Sequence, residues 1–169
     1  MAYKCTIALV TFAALAGTAY AQANNSYLQR FEGQFRGGGT VQRDVDPSPR
    51  RVTCTLDGQL QGANALAIQG TCRAAVIFTR RIGADIRFDP ASNSFSGIYT
   101  GSTTGPAQLS NGRLQNNQLV FDLTYAKAVY GDRNATMKIN NAGDGKLSMI
   151  VTDQINGQTT QTSAISLQK

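Results

Sequence analysis

Residues 51–72 read RVTCTLDGQLQGANALAIQGTC. Val52, Cys54 and Leu56 alternate with Thr53 and Thr55, and the alternation resumes at Leu66, Ile68, Gly70 and Cys72. Apolar residues at every second position mark a strand with one buried face. The stretch therefore predicts strands whose two cysteines lie on the apolar side. Two registers are open. If the chain turns near Ala63, Cys54 stands opposite Cys72, at a separation that a disulfide can span. If Asp57 and Gly58 make a tight turn, Cys54 faces Gln61 and the bridge must reach a third strand.

The same period runs outward to the end of the chain. Leu119, Phe121, Leu123 and Tyr125 share one face, followed by Ala135, Met137 and Ile139, then Leu147, Met149 and Val151, then Ile165 and Leu167. The breaks between runs, SNG (110–112), QNNQ (115–118), NNAGDGK (140–146) and INGQ (155–158), supply the Asn, Asp and Gly that positive-φ turns need. No window beyond residue 22 carries a helical stripe. About eight to ten short antiparallel strands in one small domain predict an all-β, up-and-down barrel, with a β-sandwich as the alternative. Closure is favoured because it leaves no sheet edge exposed.

Residues 1–21, MAYKCTIALVTFAALAGTAYA, have a lone Lys4, an apolar run from Ile7 to Ala16 and an Ala19-x-Ala21 site. That is the layout of a cleaved secretory signal, and it predicts a periplasmic or secreted product. The apolar run is too short for a membrane-spanning helix, and nothing later in the chain is long and apolar enough to be one. Residues 22–30 are then a flexible lead-in and 31–169 the barrel domain. Cys5 leaves with the signal, so Cys54 and Cys72 remain, and in an exported chain such a pair predicts a disulfide. Removing Lys4 leaves fifteen basic against ten acidic side chains.

Several chemistries lack their residues. The chain has no histidine, which excludes Ser-His and Cys-His nucleophile systems and leaves no set for a zinc site. No catalytic residue, metal or cofactor is predicted, and the chain is read as a non-enzyme. Asp85, Asp122 and Asp153, on or beside strands, are read as surface residues. Nine arginines fall between residues 30 and 87. Of these, Arg51, Arg73, Arg81 and Arg87 are expected on the polar face of neighbouring strands, where they would form an anion or partner surface. Export and the lack of an aromatic-rich basic strand argue against nucleic acid as the partner.

FEGQFRG (31–37) and FSGIYTG (95–101) repeat the pattern F-x-G-x-[F/Y]-x-G. Glycine inside a strand marks a bend or a close approach, and closing sheets need such bends. The repeat is therefore read as two coiled strands with rings over bare backbone. Between the first copy and the cysteine strands, GGGTVQRDVDPSPR (37–50) has the prolines and glycines of a long loop.

With its signal, this repeat, one small disulfide hairpin and the string of strands, the chain resembles small secreted proteins of Gram-negative bacteria that carry no known activity. In layout it is similar to calycin-type barrels, the lipocalin and avidin group, although the G-x-W signature of lipocalins is absent because there is no tryptophan. The likeness implies a binding barrel that holds a small apolar ligand among inward rings, with Phe31, Phe35, Phe95, Tyr99 and Phe121 as candidates. The alternative is a module that binds an envelope or extracellular protein through the arginine face and the 37–50 loop. The short strands argue against an outer-membrane barrel.

Overall fold

The structure is a computed structural model that describes residues 26–75 and 78–169; the expected signal, residues 1–21, lies outside them. Ten strands run in chain order: β1 (Gly33–Val41), β2 (Arg50–Leu60), β3 (Ala65–Ala74), β4 (Phe78–Asp89) and β5 (Ser94–Tyr99), then β6 (Ala107–Gln115), β7 (Gln118–Val129), β8 (Asp132–Asn140), β9 (Lys146–Ile155) and β10 (Gln158–Gln168). Each pairs antiparallel with its sequence neighbours, and β1 pairs with β10, so the sheet closes into an up-and-down barrel. Among the described residues no helix is long and apolar enough to cross a membrane.

The alternation sorts side chains as expected. Phe35, Leu56, Ile68, Ile86, Phe121, Met137, Met149 and Leu167 fill the inside, while Thr53, Arg73, Asp85, Lys138 and Gln154 face outward. An apolar interior and polar wall are the reverse of a lipid-facing barrel. Asn-rich turns close the hairpins: Asn116 and Asn117 have φ of 49° and 62°, and Asn156 and Gly157 have 51° and 77°. The SNG break proves to be no turn. Asn111 (φ 52°) sits in a bulge inside β6, where the register with β7 shifts between Ser110 and Arg113. The bulge sets Gly112 beneath the Phe121 ring, which leaves no room for a β-carbon there.

The 51–72 stretch takes the first of its two registers. β2 and β3 turn at residues 61–64, Cys54 pairs with Cys72, and the two are joined in a disulfide with Cα atoms 4.0 Å apart. The predicted 37–50 loop is corrected to residues 42–49, because its first five residues continue β1. A β-carbon on Gly37 or Gly39 would run into the β10 backbone at Ser166 or Ala164, and one on Gly38 into the carbonyl of Val52 on β2. The glycine run is thus the seam where the barrel closes, and only bare backbone fits it.

The expected flexible lead-in also needs correction over its described part. Residues 26–29 form one helical turn, and Tyr27, Leu28 and Phe31 are fully buried. The Tyr27 hydroxyl donates to the Asn117 carbonyl at 2.7 Å and accepts the Asn141 backbone N–H at 3.4 Å. Arg30 Nη1 donates to Asn117 Oδ1 at 3.2 Å, and Asn141 Nδ2 donates to the Arg30 carbonyl at 2.8 Å. The Tyr27 and Phe31 rings meet edge to face, 5.3 Å apart. This segment plugs the end of the barrel that carries the β6–β7 and β8–β9 turns; no period-two signal could reveal it, since it is not a strand.

Candidate functional site

At the opposite end, where the β1–β2, β5–β6, β7–β8 and β9–β10 connections lie, the barrel is open. A cavity of about 560 Å³ enters there, lined by the apolar Val41, Val52, Ala74, Ile82 and Tyr99 and by the charged Arg43, Asp46, Arg50 and Arg80. Cys72, and with it the disulfide, forms part of its wall. A smaller recess of about 50 Å³ shares Val41 and Tyr99 and extends toward Tyr125, Tyr130 and Thr162. A depression of about 680 Å³ over Ala65, Ala67, Asp85, Arg87 and Ile98 lies on the outer wall instead, formed by outward-facing positions of β3, β4 and β5.

The 42–49 loop at the rim is held by one carboxylate. The Asp46 side chain is 1 % exposed. It accepts the Arg43 backbone N–H at 3.2 Å, Arg43 Nε at 2.8 Å and Nη2 at 2.6 Å, and Arg50 Nη2 at 2.7 Å. These donors, Arg43 first, hold its carboxyl well below the usual range. The loop is tied down further by Gln42, whose N–H donates to the Thr162 carbonyl at 2.7 Å and whose carbonyl accepts the Tyr130 hydroxyl at 2.8 Å.

Arg80 follows from strand parity. It shares the inward face of β4 with Ile82, Ala84 and Ile86 and pairs with Cys72, so it points across the mouth, where Nη2 donates to the Ser102 carbonyl. Deeper, on the far wall, Asp153 is 2 % exposed. Tyr125 Oη donates to its Oδ1 at 3.0 Å, and Thr162 Oγ1 donates to Oδ2. Thr162 reaches inward because a bulge shifts the β9–β10 register between Gln161 and Ser163. Burial pushes the Asp153 carboxyl above its ordinary value, partly offset by its two hydroxyl donors. Burial likewise pushes the Tyr99 hydroxyl up to about 12.

The five candidate ring residues separate. Phe31, Phe35, Phe95 and Phe121 are fully buried in the packed core, and Phe95 lies against Phe88 with centroids 4.8 Å apart. Of the five, Tyr99 alone lines the open-end cavity, with its ring over Gly101. The four candidate arginines are all exposed, and among the described residues none forms an ion pair. Arg73 pairs with Thr53 and Arg81 with Thr71, which gathers them with Arg51 on the outer wall near the mouth; Arg87 pairs with Ala65, toward the plugged end.

Of the three aspartates read as surface residues, Asp85 and Asp122 are exposed and Asp153 is not. Its signal was the parity of Leu147, Met149, Val151 and Asp153 on one face of β9. Arg80 carries the same signal on β4, and Asp46 carries none, since it sits in a loop. Among the described residues no three metal-ligating side chains come together. No protein-family model and no curated protein matches the chain.

Proposed function

We propose that this chain is an exported, non-enzymatic binding barrel that takes a small, largely apolar molecule through its open end, in the periplasm or outside the cell. One observation carries the reading: the barrel is plugged at one end by Tyr27, Leu28 and Phe31 and opens at the other onto a cavity of about 560 Å³. A core that only had to be stable would be filled at both ends. The volume falls within the range of ordinary ligand sites, roughly 300–1,000 Å³, and the mix of apolar walls with a few polar groups at the rim is also theirs. The disulfide accords with an oxidising compartment.

The experiment is native mass spectrometry of the protein purified from its own compartment. A small molecule that co-purifies and is lost on denaturation supports the reading; an empty monomer whose cavity also takes up no small-molecule probe overturns it.

A second reading rests on Arg51, Arg73 and Arg81, exposed beside the mouth and, among the described residues, without ion-pair partners. They suit an acidic face of an envelope or extracellular protein, together with the 42–49 loop. A stoichiometric protein in the same spectrum would favour it.

A further inference from the structure

We infer that the open-end cavity selects an amphipathic anion, with a hydrocarbon body lodged against Ile82 and Tyr99 and a carboxylate-type head held at Arg80. This rests on the binding-barrel reading and names the ligand class. The charges around the cavity are unbalanced: Arg43, Arg50 and Arg80 stand against the single carboxylate of Asp46. Asp46 is ion-paired with both Arg43 and Arg50, and among the described residues it forms no ion pair with Arg80. The other buried carboxylate, Asp153, is held on the far wall by Tyr125 and Thr162, and among the described residues it forms no ion pair.

Among the described residues Arg80 has one acceptor, the Ser102 carbonyl. A guanidinium offers five N–H donors in a planar fork that matches a carboxylate, so most of its capacity is open toward the mouth. Its position makes the capacity matter. Arg80 occupies an inward position of β4 one step above Ile82 and opposite Cys72, where the strand pattern otherwise places apolar groups. Arg80 is exposed at the mouth, and the apolar wall beside it focuses its field on an entering ligand. The lining supplies an apolar zone beyond it: Ile82 lies one inward position deeper on β4, and Tyr99 pairs with Ala84 beyond that. An anionic head at Arg80 with an apolar body pointing inward meets both, whereas a neutral apolar molecule leaves the remaining Arg80 donors without an acceptor.

The test is calorimetric titration of the purified protein with three probes of one chain length: octanoate, octanol and octylammonium. Octanoate is expected to bind at least about tenfold tighter than octanol, the factor for one charge-assisted hydrogen-bonded pair, and octylammonium weakest. Arg80→Gln is expected to bring octanoate down to the octanol level, Arg80→Lys to keep part of the gap, and Arg113→Gln, on the outer face of β6, to change nothing. Equal affinity for octanoate and octanol, or an Arg80→Gln protein that keeps the preference, would overturn the inference and leave the cavity reading standing. Failure of all three probes to bind would overturn both.

Discussion

Inside the barrel the Tyr125 hydroxyl donates to Asp153 across 3.0 Å, and both groups are buried. Burial raises Asp153 above 3.8, so folding favours its protonated form. The stability this brings is fully present below the unfolded value and is lost as pH rises through the raised folded value. Asparagine cannot titrate. The melting temperature of Asp153→Asn minus that of the native protein is therefore expected to grow as pH is raised from acid to neutral. A difference that is flat with pH would show that Asp153 does not titrate differently on folding.

Removing the phenol oxygen tests the same pair from the other side. Tyr125→Phe takes away one of the two hydroxyl donors to Asp153 and leaves a buried carboxylate oxygen without its partner. A loss of about 1–3 kcal/mol in urea unfolding is expected at neutral pH, shrinking in acid as Asp153 protonates.

The rings that fill and the ring that lines are separable by truncation. Phe35→Ala, in the packed core, is expected to lose about 3–5 kcal/mol by leaving a cavity. Tyr99→Ala enlarges a space that already exists, so its loss should be clearly smaller and its main effect should fall on ligand affinity. Chemical unfolding of the two variants side by side decides the matter; equal losses would mean that the mouth is as tightly packed as the core.

At the seam, Gly39→Ala is expected to lose about 1–3 kcal/mol or more, because its β-carbon would meet the Ala164 carbonyl on β10. Space decides here rather than backbone strain. Hydrogen exchange should therefore rise in β1 and β10 before the rest of the sheet.

Reduction gives a further test. Free-thiol titration of the folded protein is expected to find neither Cys54 nor Cys72 reactive. Replacing Cys54 and Cys72 together by alanine opens a cross-link spanning 18 residues and should lose on the order of 3 kcal/mol. Because Cys72 also walls the cavity, octanoate affinity should fall as well.

The strands were legible because a half-buried strand writes its geometry into every second residue: Cys54, Leu56 and Ile68 face inward as their spacing requires. Glycine misled where it did two jobs, since the run from Gly37 to Gly39 has the composition of a loop and the contacts of a seam. Parity also held the site in part, because Arg80 and Asp153 occupy apolar-face positions that a charge rarely takes without cause. The rest depended on distance in space. Nothing local says that Tyr27 will meet Asn117 and Asn141, or that Asp46 will draw Arg43 and Arg50 onto itself. The same holds for the rings: all five candidates face inward, and only the assembled barrel separates the four that pack from the one that borders empty space.

The pairing of β1 with β10 has a consequence for how the chain comes to be folded. β1 is synthesised well before the strand that must cover its second edge, and for that interval it is a bare template for joining other copies. A run of valines there would be hazardous. Three consecutive glycines make β1 a weak strand by itself, one that gains order only when β2 and β10 hold it on either side. The segment least suited to pairing with strangers is the one that waits longest for its own partner.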